Sequence, residues 1–260
     1  AVGTELAETD SWTDRLTFNG KLIRIDLDAS TLTRDYPPTV AILADAGPAL
    51  AALTERIRAG RKPDAVRLAA IRTANVGEIH PLERKHIAVL DAVRASLPMD
   101  GQVFTDMTQI AYTANSYFPC EVPRRWFHPL GFGTLGYAVP AAIGGRIACP
   151  DRATIAIVGD GGFLFTMQEL GTAVELGLAL PILVWNNDAF GQIAYGMNTR
   201  DIPELGVRQR NPDYLALARA FGAEAVRPGS LQALTAAIRD AFAAKGPTLI
   251  EVREDAPFLS

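Results

Sequence analysis

"TIAIVGDGGFLFTMQELGTAVELGLALPILVWNN", residues 154–187, decides the fold. Two short apolar runs, Thr154–Val158 and Ile182–Trp185, are each the length of a buried strand. The first ends in Gly159-Asp160-Gly161-Gly162, the second in Asn186-Asn187-Asp188. Between them the pattern predicts a helix at about Met167–Leu178. A strand–helix–strand crossover of this length is right-handed and lays the two strands parallel. Asp160 and Asn187 therefore emerge on the same edge of one sheet, the edge where open α/β sheets bind ligands.

The pattern continues on both sides. Downstream, "NPDYLALARAFG" predicts a helix with Asn211 as cap, Pro212 in the first turn and Gly222 at the stop. A short strand near Glu224–Val226, a helix capped by Ser230 and the strand "PTLIEVRED" follow. Upstream, Pro81–Ser96 predicts a helix, and "GQVFTDM" predicts a strand ending at Thr105-Asp106. "GFGTLGYAVPAAIGGRIA" reads as a glycine-rich turn into a helix of small residues able to pack close to a sheet, with Pro140 in its first turn. The expected fold class is α/β, a doubly wound parallel sheet. It is preceded by part of a second α/β domain, with strands at Lys21–Asp28 and Thr39–Asp45 and a helix through "GPALAALTERIRAG". Residues 59–80 are charged and weakly patterned and read as a linker or surface arm. The expected division is 1–75 and 76–260.

A carboxylate and an amide carbonyl are hard oxygen donors, suited to Mg²⁺ or Ca²⁺. Two side chains are too few to hold Mg²⁺, which takes its remaining ligands from phosphate oxygens and water. Gly161 and Gly162 allow backbone N–H groups to approach such a phosphate. The expected ligand is a diphosphate clamped by a divalent cation. The rival dinucleotide site needs G-x-G-x-x-G opening the helix, and this turn lacks it. No P-loop is present.

The GDG followed by NN at this interval resembles the diphosphate motif of thiamine-diphosphate enzymes. "GFGTLGYAVPAAIGG", residues 131–145, is similar to the segment of acetolactate synthase-type enzymes beneath the cofactor's rings. "TDMTQIAY" (105–112) and "HPLGFGTLGY" (128–137) look closest to 2-oxo acid decarboxylases of the guanidino-oxopentanoate type. The resemblance implies thiamine diphosphate and Mg²⁺ as cofactors, with flavin not indicated. Asp160 and Asn187 would bind Mg²⁺ by side chain and Ala189 by its carbonyl. Gly161, Gly162 and Gln109 would face the diphosphate, with Asn187 beside them. Leu135 would hold the cofactor bent, and the Gly133 carbonyl would accept from its amino group. The implied reaction is decarboxylation of a 2-oxo acid, with carboligation of two oxo acids, or a non-catalytic cofactor-binding fragment, as alternatives. In that family a glutamate from the N-terminal domain of a partner subunit activates the cofactor. No segment here resembles that domain. The chain is therefore expected to be one piece of a larger assembly, needing a homo-oligomer or a partner chain to complete the site.

The bulk numbers exclude other classes. The chain has 260 residues, 48% hydrophobic, and a net charge of −4 from 25 basic and 29 acidic residues. The basic residues form no stripe, so neither nucleic acid nor a membrane surface is expected as a partner. Two cysteines, Cys120 and Cys149, lack metal-ligand spacing and read as reduced thiols of a cytoplasmic protein. His128, beside the glycine turn, either faces the substrate as acid or base or caps the turn; with Leu135 it is the candidate catalytic pair. His80 and His86 are expected at the surface.

Overall fold

The computed structural model describes residues 1–7, 13, 15–57, 60, 64–77 and 80–260. Its internal contacts divide it into two units, Ala1–Arg72 and Thr73–Ser260. In the first unit, β1 (Ile23–Asp26) pairs in parallel with β2 (Val40–Leu43), Ile25 opposite Ile42. Asp28 and Asp45 cap the helices that follow each strand, accepting from the N–H groups of Ser30 and Gly47. Part of the expected linker is a helix, Ala65–Gly77. Its alanine-rich composition favours a helix, but among the described residues it buries no apolar stripe, and Val66, Leu68 and Ile71 lie exposed. That missing stripe is why periodicity did not reveal it.

The second unit is built on a six-stranded parallel sheet in the order β4-β3-β5-β6-β8-β7. These strands are β3 (Gln102–Thr105), β4 (Trp126–Phe127), β5 (Thr154–Gly159), β6 (Pro181–Asn186), β7 (Glu224–Val226) and β8 (Thr248–Arg253). Every residue of β3, β5 and β6 is buried. A parallel sheet covered on both faces requires such continuous apolar strands. On one face Val103, Ile155, Ile157, Leu183 and Ile250 pack against helices Pro81–Ser96 and Leu231–Phe242. On the other, Phe104, Ala156, Val158, Ile182 and Leu249 meet helices Ala138–Ala148 and Tyr214–Ala220. The small-residue helix does pack close, since a Cβ on Gly145 would enter the Phe104 ring. From β3 the chain runs outward to β4, then returns to β5 on the other side of β3. This reversal opens a crevice at the tips of β3 and β5.

Two local readings change. The helix expected at Met167–Leu178 begins at once after β5, as Asp160–Thr166, and resumes at Glu169–Glu175. Gly161 and Gly162 therefore sit within a helical turn. Asn211 does not cap the next helix: the cap is Asp213, whose side chain accepts from Leu215 and Ala216 N–H. Among the described residues no helix is long and apolar enough to cross a membrane.

Candidate active site

A cavity of about 210 Å³ opens where β3, β5 and β6 end. Its walls are Met107–Gln109 after β3, Gly159–Gly162 after β5, and Asn187 with Ala189–Ile193 after β6. Tyr112 and the glycine-turn residues Gly133 and Leu135 close it. Eight of the residues singled out in the sequence thus share one cavity: Gln109, Gly133, Leu135, Asp160, Gly161, Gly162, Asn187 and Ala189. His128 does not line it. Its Nδ1 bonds Thr105 Oγ1 at 2.7 Å, and its ring stands edge-on to Tyr112. Burial lowers its pKa to about 4, so the ring is neutral at pH 7.

Asp160 is 2% exposed. Its Oδ1 accepts from Gly161 N–H at 2.8 Å and its Oδ2 from Asn211 Nδ2 at 2.8 Å. Its own carbonyl accepts from the buried Tyr214 hydroxyl at 3.0 Å. Burial pushes the carboxyl above the usual range, against the pull of Asn211 and the N–H groups of Gly161, Ala189 and Asp188. The Asn187 amide nitrogen donates to Gln109 Oε1 at 3.0 Å and reaches Glu254 Oε2 at 3.4 Å. Its carbonyl oxygen takes part in neither bond. Between Asn187 and Ala189, Asp188 holds a left-handed backbone, φ 53°. The turn is tied down by Asp188 N–H to Asn186 Oδ1 and by Gln209 N–H to the Asp188 carbonyl.

The glycines are required by contact as well as by conformation. A Cβ on Gly161 would lie 2.5 Å from Gln209 Nε2 and 2.7 Å from the Phe190 ring. One on Gly162 would run into Asp106 Oδ2, and one on Gly191 into Gln109 Oε1. Gly133, at φ 59°, needs the left-handed region.

Sequence reading missed two site residues. Asp106, fully buried, accepts Gly136 N–H at 2.8 Å and Tyr137 N–H at 2.9 Å, fastening the glycine turn to the tip of β3. The signal was an aspartate at the end of an apolar strand, the same signal as Asp160. Asn211 drew attention as a helix cap, whereas its amide reaches Asp160, Asn186 and Asp188. His86, expected at the surface, is 1% exposed: its Nδ1 bonds Thr113 Oγ1 and its ring stands edge-on to Trp185. Helical spacing marks this face, since His86 stands three, four and seven residues before the buried Val89, Leu90 and Val93. His80 is exposed and caps its helix.

The family model described as "Thiamine pyrophosphate enzyme, C-terminal TPP binding domain" matches residues 106–252. The chain belongs to the thiamine pyrophosphate enzymes. A probable 2-ketoarginine decarboxylase of Pseudomonas aeruginosa is 47% identical over 97% of this chain and 46% of its own length. The acetolactate synthase isozyme 1 large subunit of Escherichia coli is 30% identical over 94% of the chain and 44% of its own length. Among solved structures, the thiamine diphosphate-dependent 4-hydroxybenzoylformate decarboxylase of Rhodococcus jostii superposes with a TM-score of 0.72. It shares 25% identity, over 92% of this chain and 44% of that one. The chain spans about half the length of the curated relatives it matches. For a thiamine pyrophosphate enzyme the cavity is chemically apt. Glycines bare the backbone in its wall, and Asp160, Asn187 and Ala189, which carry carboxylate, amide and carbonyl oxygens, line one space. Among the described residues no group of three His, Cys, Asp or Glu side chains could hold a metal ion. A cation here would rely on amide, carbonyl and phosphate oxygens, as Mg²⁺ does.

Proposed function

We propose that this chain supplies the diphosphate-binding half of a Mg²⁺- and thiamine-diphosphate-dependent decarboxylase of a 2-oxo acid, the substrate carrying a guanidino group. The cavity at the three strand tips carries the reading, with Asp160, Asn187, Ala189 and the Gly161-Gly162 corner in its wall. The 47% identity to a probable 2-ketoarginine decarboxylase supports the substrate class. When bound, thiamine diphosphate would supply a sink for the electron pair left on the α-carbon as CO₂ departs. The chain's own residues position it. Asp160, Asn187 and the Ala189 carbonyl would hold the cation. Gln109, Gly161 and Gly162 would face the diphosphate. Leu135 and the Gly133 carbonyl would fix the rings. Residues 1–75 correspond to the closing part of a central domain and 76–260 to the cofactor domain. An N-terminal pyrimidine-binding domain carried by a partner polypeptide completes the centre. The two free cysteines accord with a cytoplasmic location.

Calorimetry tests binding: heat with thiamine diphosphate that depends on Mg²⁺ supports the reading, and none overturns it. With the N-terminal domain added, 5-guanidino-2-oxopentanoate should yield its aldehyde. The 30% identity to an acetolactate synthase subunit favours a second reading, carboligation. Acetolactate formed from pyruvate would establish it.

A further inference from the structure

Strand β8 reads Thr248-Leu-Ile-Glu-Val-Arg253, and Glu251 is 1% exposed in its middle, opposite Val184 of β6. An anion inside a sheet of apolar strands costs desolvation, and an apolar residue of similar size would pack there at least as well. Its contacts indicate why it is there. Oε2 accepts two N–H groups from Arg227, at 2.9 and 2.6 Å, and Arg227 is half-exposed at the end of β7. Oε1 accepts from Asn186 Nδ2 at 2.7 Å. That bond orients the Asn186 amide, so its Oδ1 faces inward to accept from Asp188 N–H at 3.1 Å and Asn211 Nδ2 at 3.0 Å. Asn211 in turn donates to Asp160 Oδ2 at 2.8 Å and Asp188 Oδ1 at 3.0 Å. A second arm from β8, Arg253, holds the other Asp188 oxygen at 2.9 Å.

We propose that Glu251, gripped by Arg227, is a positioning residue for the cation site, acting through Asn186 and Asn211 on the Asp160 carboxylate and the turn at Asp188. The proposal rests on the functional reading above. Nothing in it requires Glu251 to touch cofactor or substrate. Its charge fixes which way the Asn186 amide points, and that choice propagates to the first cation ligand. Without it, Asn186 is free to turn its nitrogen toward Asn211, setting donor against donor and releasing Asp160.

The test is Mg²⁺ titration by calorimetry at saturating thiamine diphosphate, on the wild-type chain and Glu251→Gln, with urea unfolding of the ligand-free chains alongside. Glu251→Gln should weaken Mg²⁺ by about tenfold, the lower end of what outer partners of metal ligands contribute. A purely structural role would lower the urea midpoint and leave the Mg²⁺ affinity unchanged, which overturns the proposal. Asn186→Ala and the double variant close a cycle: the double should bind Mg²⁺ no more weakly than Asn186→Ala alone, and additive losses refute the relay. Should Glu251→Gln not fold, Arg227→Gln at its half-exposed site is read instead, with a measurable weakening of Mg²⁺ binding expected and none overturning the idea. A wild-type chain that binds no thiamine diphosphate with Mg²⁺ defeats the functional reading and this one together. Wild-type binding with an unaltered Glu251→Gln defeats this one alone.

Discussion

Lowering the pH should destabilise the fold through one buried histidine. His86 lies under β6, 1% exposed, with one nitrogen on Thr113 and the other without a hydrogen-bond partner among the described residues. Burial, with Lys85 beside it, holds its pKa at about 4 against an ordinary 6.5. Between these values the unfolded chain binds a proton that the native chain refuses, so stability is full above pH 6.5 and drains away as pH falls toward 4. The gap is worth about 3 kcal/mol in all, of which about 2 kcal/mol is lost by pH 5. The assay is urea unfolding at pH 7.5 and pH 5.0, on the wild type and on His86→Gln. Glutamine keeps a polar group for Thr113 and does not titrate. His128, Asp106 and Asp160 titrate alike in both chains and cancel in the comparison. The wild type should lose about 2 kcal/mol more than the variant over that range. Equal losses would show that the buried ring is not held neutral, and the reasoning would fail.

Asp160→Ala should abolish Mg²⁺-dependent binding of thiamine diphosphate in calorimetry, with far-ultraviolet circular dichroism unchanged. Gly162→Ala drives a methyl group into the Asp106 carboxylate, which two backbone N–H groups hold in place. It should cost about 1–3 kcal/mol in urea unfolding and weaken cofactor binding. Asp106→Asn leaves one of the N–H groups of Gly136 and Tyr137 facing a donor. Stability should fall by about 1–3 kcal/mol, and limited proteolysis should cut first in the loosened 131–136 turn.

Much of this was legible in residue order. Strands β5 and β6 are apolar runs bounded by Gly, Asp and Asn, and a run that wants burial on both faces specifies a covered parallel sheet. Two parallel strands joined by one crossover end at the same sheet edge, so the nearness of Asp160 and Asn187 followed from local pattern, whereas Gln109, Gly133, Leu135 and Ala189 came only with the family resemblance. What could not be read is whatever depends on a distant partner. Asn211 looked like a cap because capping is a local signal, yet its amide spans 51 residues to Asp160. Asp106 fastens a turn 30 residues ahead, and Glu251 reaches Asn186 across 65. The inward face of His86 was legible from its spacing to Val89, Leu90 and Val93, but its contact with Trp185, nearly a hundred residues away, was not. Periodicity reports which face of an element is apolar. Only the packed structure decides which polar side chains meet across elements, because a buried hydrogen bond depends on ångström-scale placement that no local pattern encodes.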